Sequence, residues 1–146
     1  MQSVALNRFT LCALLLLDLG FVQLRGVAQC HRSTVADFSP SLEPKARAFL
    51  SSLITSVKAG DRAKIAAMVQ YPLNVNTDKG HRSVRSSAEF VKAYNQLFTP
   101  AIKTAIEKQV PECLFANSQG VMIGDGEVWF EELQNGSMKI KTLNVP

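Results

Sequence analysis

Residues 113–145 read CLFANSQGVMIGDGEVWFEELQNGSMKIKTLNV, and this stretch decides the fold. Short apolar runs are separated by turn residues. Cys113-Leu114-Phe115-Ala116 leads into Asn117-Ser118-Gln119-Gly120, and Val121-Met122-Ile123 leads into Gly124-Asp125-Gly126. A third run covers 127–133, and Asn135-Gly136, a strong two-residue hairpin signal, precedes a last strand over 137–145. In that strand Met138, Ile140 and Thr142 alternate with Lys139 and Lys141, as one buried and one wet face require. The pattern predicts an antiparallel meander.

Upstream the period changes from two to about 3.6. Ala46, Phe49, Leu50, Leu53, Ile54 and Val57 recur at intervals of three and four and predict an amphipathic helix that Gly60 stops. Asp61 is placed to cap a second short helix over 62–69. Tyr71-Pro72 breaks the helical pattern, because proline disfavours α geometry in the residue before it. Leu73-Asn74-Val75-Asn76 then alternates as a strand, with 81–84 placed to return beside it after the polar turn at 77–80. Ser86 or Ser87 opens a third helix with Phe90, Val91, Tyr94, Leu97 and Phe98 on its face, and Thr99-Pro100 marks a restart. Helices first and strands last predict an α+β domain, with N-terminal helices packed on a curved, mostly antiparallel sheet.

The first 28 residues have the parts of a signal peptide: a polar start with Arg8, the apolar run from Leu11 to Leu17, and small residues at Gly26 and Ala28. That run, followed by Asp18, falls short of the roughly 20 apolar residues of a spanning helix. Cys30 raises the alternative of a lipid anchor, which Gln29 argues against, since lipoprotein processing wants a small residue there. The expectation is a protein exported to the periplasm or medium, with a flexible lead at 29–41 and one domain at 42–146. Export removes Arg8, Arg25 and Asp18, so 16 basic and 12 acidic side chains become 14 and 11, a net charge of about +3. Those charges are scattered apart from Lys79-Gly80-His81-Arg82-Ser83-Val84-Arg85, which reads first as a solvated loop and lacks the dense basic stripe of a nucleic-acid binder. Cys30 and Cys113 remain in an oxidising compartment, where two readings stand open: a disulfide closing a long loop, or one buried thiol and one mobile thiol.

Three stretches resemble the nuclear-transport-factor-2-like superfamily (SnoaL-like, with a cystatin-type cone), and in particular its small exported bacterial members without an assigned activity. They are 60–73, then Phe90-Val91-Lys92-Ala93-Tyr94, then 119–130 together with 139–144. The resemblance implies a conical half-barrel with a pocket between sheet and helices, and implies little about chemistry, since such folds host isomerases, ligand binders and dimerisation modules. Pocket candidates are Tyr71, Phe90, Tyr94, Met122 and Trp129, beside a core-packing reading that accounts for most of the aromatic residues.

No catalytic constellation emerges from the residue pattern. Asp61 reads as a helix cap and Asp125 as a turn residue between glycines. Glu131 and Glu132 are adjacent in a strand and must face opposite sides, so they cannot form a carboxylate pair. No Cys/His/Asp spacing matches a metal site and no glycine-rich phosphate loop appears, so no catalytic residue, metal or cofactor is expected. Nucleic acid and, after signal removal, membrane are not expected partners. The leading expectation is an exported, non-catalytic domain that binds a small apolar ligand or a protein partner in or beside the cone-shaped pocket and forms a homodimer through its sheet. Two alternatives are a cofactor-free isomerase or hydrolase using one buried carboxylate, and a secreted inhibitor or immunity-like module presenting the loop at 79–85.

Overall fold

In the computed structural model, which describes Cys30 and residues 32–146, these residues form an α+β domain. Residues 1–28, read above as a signal peptide, lie outside the described residues. The elements in chain order are α1 (Val35–Phe38), α2 (Glu43–Ala59), α3 (Arg62–Ala67), β1 (Val69–Thr77), β2 (Gly80–Val84), α4 (Ser87–Leu97) and α5 (Pro100–Lys108). A 3-10 turn (Pro111–Cys113) then leads to β3 (Phe115–Asn117), β4 (Gly120–Ile123), β5 (Val128–Glu132) and β6 (Met138–Val145).

Several helix boundaries fall where their capping chemistry places them. Gly60 takes the left-handed conformation (φ 65°) that closes α2 at no Cβ cost. Asp61 accepts the Lys64 N–H at 2.9 Å and opens α3. Ser86 accepts from Glu89 N at 3.2 Å while the Glu89 carboxylate returns to Arg85 N at 2.8 Å, and Thr99 with Pro100 at the first helical position starts α5. The short helix ends at Ala67, two residues before the pattern predicts, because Val69 pairs with Ile140 in the sheet. Tyr71-Pro72, with a cis peptide bond, lies inside β1 in a stretch where the pairing register with β6 shifts, rather than before the strand. Cys113 belongs to the 3-10 turn and not to β3.

The sheet runs β2-β1-β6-β5-β4-β3. Every pairing is antiparallel except β1 with β6, so the sheet is mixed and open. The helices cover one face. Leu73, Val75, Val84, Val121, Ile123, Val128, Phe130, Ile140 and Leu143 point to it with no exposed surface, and meet Leu50 and Leu53 of α2, Phe90 and Leu97 of α4 and Ile102 and Ile106 of α5. Phe49 of α2 stacks on Phe130 with centroids 4.7 Å apart. Ser56 is the one buried polar residue among those described, and its hydroxyl donates back to Ser52 O at 2.8 Å.

The stretch read as a flexible lead is ordered from Arg32 onward. Thr34 caps α1 through a capping box with Asp37 and bridges to Phe115, Val35 N donates to Leu114 O at 2.8 Å, and the Val35 side chain is buried. Cys30 and Cys113 are joined by a disulfide across 83 residues of sequence. Arg47 of α2 adds a link to the same place, reaching Glu112 at 2.8 Å and Glu43 at 2.7 Å. The N-terminal strap is therefore clipped along the β3 edge of the sheet, where it covers backbone groups that would otherwise face solvent.

Candidate functional site

The five pocket candidates do not line one cavity. Phe90 and Tyr94 lie on the helix-covered side, at 0% and 2% exposure, and Met122 and Trp129 lie on the opposite face of the sheet. Tyr94 stacks on Phe98 at 5.2 Å, and Phe90 meets both rings edge-on. This aromatic cluster packs the core beneath α4. Arg62 and Lys103 sit 5.1 Å and 5.4 Å from the Tyr94 ring centroid, where each stem packs while its charge remains near water. Tyr71 is half-buried against the core and donates its hydroxyl to Ala66 O at 3.0 Å. Burial pushes both phenols above the usual tyrosine range, with Arg62 opposing the shift at Tyr94. These groups support packing.

No carboxylate among the described residues is buried. Every described Asp and Glu is exposed or half-exposed, and Asp37 and Glu112 are held below the ordinary carboxylate range. The Thr34 backbone N–H and then its hydroxyl hold Asp37 low, and Glu112's own backbone N–H and then Arg47 hold Glu112 low. Glu131 and Glu132 do diverge: Glu131 meets Lys141 at 2.6 Å, whereas Glu132 pairs with Lys45 of α2. Asp61 is occupied as a cap, and Asp125 sits in the turn before β5, with its N–H donating to Glu127 Oε2 at 2.6 Å.

The helix-free face of the sheet has a different character. Across it run the paired residues Phe115, Met122, Trp129, Thr142 and Asn74, one from each strand from β3 to β1. Phe115 meets the Trp129 indole edge-on at 6.4 Å. A bulge between Trp129 and Phe130 turns Phe130 into the core and leaves both Lys141 and Thr142 off it. Beside the indole is an open groove of about 530 Å³, lined by Asn76, Ser118, Gln119, Trp129, Lys141, Thr142 and Asn144. Its polar wall is held by a chain of hydrogen bonds. His81 Nδ1 is 3.0 Å from Asn76 Oδ1, Asn76 Nδ2 donates to Asn144 Oδ1 at 2.7 Å, and Asn144 Nδ2 donates to Gly126 O. Gly126 (φ 120°) has the conformation that side chains rarely adopt, and a Cβ there would lie 3.8 Å from the Trp129 indole nitrogen and 3.9 Å from Asn144 Nδ2.

Other grooves differ in character. Asn76 and Asn144 also line a smaller groove of about 350 Å³ whose far wall carries Asp78, Asp125 and Glu127. A larger one, about 650 Å³, runs between α5 and the turn at 124–127 and contains no aromatic residue. The Trp129 groove is distinguished by a large amphipathic ring beside fixed neutral polar groups, the combination that specific ligand sites share.

The residue pattern identifies Trp129 and Met122 as candidates but misses Asn76, Ser118, Gln119, Thr142 and Asn144. A faint signal was available. The alternations Leu73-Asn74-Val75-Asn76 and Thr142-Leu143-Asn144-Val145 put both asparagine-bearing edges on the face opposite the core. What brings Asn76 against Asn144 is the parallel β1–β6 pairing between strands 68 residues apart, which no local pattern encodes.

No protein-family model, curated protein or solved structure matches the chain.

Proposed function

We propose that this is an exported, non-catalytic binding domain that takes up a small polar ligand on the helix-free face of its sheet, at Trp129. The observation that carries the reading is the contrast at Trp129. Among the described residues an indole is only half-buried where most other large aromatic side chains are sealed in the core, and it is bordered by hydroxyls and by amides, of which Asn76 and Asn144 are held by hydrogen bonds. The apolar ligand expected from the sequence has no counterpart in this groove, because an apolar molecule would strand the amide and hydroxyl groups without partners. Absence of a buried carboxylate among the described residues supports binding over acid–base chemistry. The Cys30–Cys113 disulfide fits an oxidising compartment and thus the signal-peptide reading of residues 1–28. A superfamily likeness to nuclear-transport-factor-2-like domains accords with an α+β fold with an open sheet; homodimerisation through that sheet would compete with ligand for the same face.

The chain has a single tryptophan, so fluorescence excited selectively at the indole, beyond tyrosine absorption, reports this site alone. Screening the mature protein against polar small molecules should give ligands that shift Trp129 emission and whose binding, followed by calorimetry, is lost in Trp129→Ala. Ligands that bind Trp129→Ala as well as the parent would sink the reading.

One observation favours a second reading, the inhibitor or immunity-like module. β2 is the uncovered edge of the sheet, exposed from Gly80 to Ser83, and it carries His81 and Arg82 with Lys79 and Arg85 at its ends. An acidic extended segment of a partner could add to this edge as a further strand. Charge reversal at Arg82 and Arg85 should then abolish capture of that partner; unchanged capture would remove the reading.

A further inference from the structure

Resting on the binding reading above, we infer that the ligand of the Trp129 groove is a neutral saccharide, one pyranose unit of which lies on the indole while its hydroxyls meet Asn76, Gln119, Thr142 and Asn144.

Its one charged side chain is already compensated. Lys141 Nζ lies 2.6 Å from Glu131 Oε2, and no carboxylate lines the groove itself. A phosphate-bearing ligand such as a nucleotide would need an uncommitted cation, and a cationic ligand would need an uncommitted carboxylate. Neither is present there, so a neutral ligand fits best.

The polar groups are donors and acceptors in equal measure. An amide side chain has two N–H donors and two acceptor lone pairs. In the chain from His81 to Gly126, Asn76 uses one donor and one acceptor site on its neighbours, and Asn144 does the same. Each therefore retains one N–H and one lone pair. Ser118, Gln119 and Thr142 have no side-chain hydrogen-bond partner among the described residues and retain theirs in full. A hydroxyl is the ligand group that both donates and accepts, and a pyranose carries several at fixed spacing, so vicinal pairs can engage one amide through both of its ends. A purely accepting or purely donating ligand would leave half of these groups unused.

Preorganisation is the third element. The amide chain holds Asn76 and Asn144 before any ligand arrives, and the edge contact with Phe115 holds the indole. Side chains already fixed lose little rotamer freedom on binding. The aliphatic C–H face of a pyranose ring stacks on an indole, while its rim of hydroxyls lies at the level of the flanking amides. An open groove, unlike a closed cavity, also admits an oligosaccharide whose neighbouring units extend into solvent.

The test uses the mature protein and a panel of neutral oligosaccharides, namely cello-, chito-, malto- and xylohexaose, with binding followed by Trp129 fluorescence and calorimetry. At least one should bind. Trp129→Ala should weaken it by about tenfold or more, and Gln119→Ala, at an exposed turn, by about three- to tenfold. Far-UV circular dichroism and melting establish that the variants are folded, and Gln119→Ala keeps the test decisive if Trp129→Ala is not. If no oligosaccharide binds at millimolar concentration while other polar small molecules still shift Trp129 emission, the saccharide assignment falls and the binding reading stands. If nothing shifts that emission, both fall. If a saccharide binds and both variants retain full affinity, the siting at Trp129 is overturned.

Discussion

The two faces of the sheet use the same alternating strands for opposite purposes. On the helix-covered face, Phe130 stacks on Phe49, and Phe90, Tyr94 and Phe98 fill the space under α4. One residue away along β5, Trp129 stands half-buried beside a hydrogen-bonded row of amides. A strand cannot decide between packing and recognition as a whole; it assigns alternate residues to each. The lesson of the comparison is that aromatic content alone does not locate a site in such a domain. What distinguishes Trp129 from Phe130 is the company each keeps, apolar and close-packed on one side, polar and satisfied in part on the other.

The sharpest way to break this comparison is to truncate one member of each face. Phe130→Ala should cost about 3–5 kcal/mol in urea unfolding, since it leaves a cavity beneath α2. An effect below about 1 kcal/mol would mean the helix-covered face is not close-packed. Removing the strap's anchor comes next. Cys30→Ser combined with Cys113→Ser should cost about 2–4 kcal/mol, through the entropy of the opened loop. Trp129→Ala should alter stability by only about 1 kcal/mol, the scale of a cross-strand pair on a solvated face, while removing ligand binding. A loss equal to that of Phe130→Ala would erase the difference between the faces.

The smallest effect concerns pH and the strap. Asp37 and Glu112 are held below the ordinary carboxylate range in the folded chain, the first by Thr34, the second by its own backbone N–H and by Arg47. A depressed carboxyl pKa favours the folded state above the unfolded pKa, and that contribution is lost as pH falls through the folded value. Both carboxylates are well exposed, so the effect on global stability is slight. Hydrogen exchange of the α1 amides should nevertheless quicken below about pH 4 relative to pH 6, after correction for intrinsic rates, before the core amides respond. Identical protection at the two pH values would show that these contacts do not hold the strap.

Much of the fold could be read from local patterns. Gly60, Asp61, Ser86 and Thr99-Pro100 announce their helix boundaries because capping is a matter of three or four neighbouring residues. The meander from Phe115 onward is equally local, since each strand pairs with the next. Non-local features were harder. Val69 reads as helical until its pairing with Ile140 is known, and the strap at 32–38 reads as a lead because α1 is a single short helix held by contacts to distant Leu114 and Phe115. The site divides in the same way. Trp129 is conspicuous as the single indole of the chain, but the amides beside it come together through the β1–β6 pairing, and the groove appears only once Asn76 and Asn144 are side by side. Grouping Phe90 and Tyr94 with Trp129 failed because helix-face aromatics and strand-face aromatics look alike in a sequence while the sheet separates them.

The most direct measurement is a chemical-shift map of the isotope-labelled mature protein titrated with a ligand found by Trp129 fluorescence. The account predicts that the Trp129 indole N–H and the side-chain amides of Asn76, Gln119 and Asn144 shift together, while Phe90, Tyr94 and Phe98 do not. Shifts centred on those three core aromatics, with the indole unmoved, would contradict it and return the binding site to the helix-covered face.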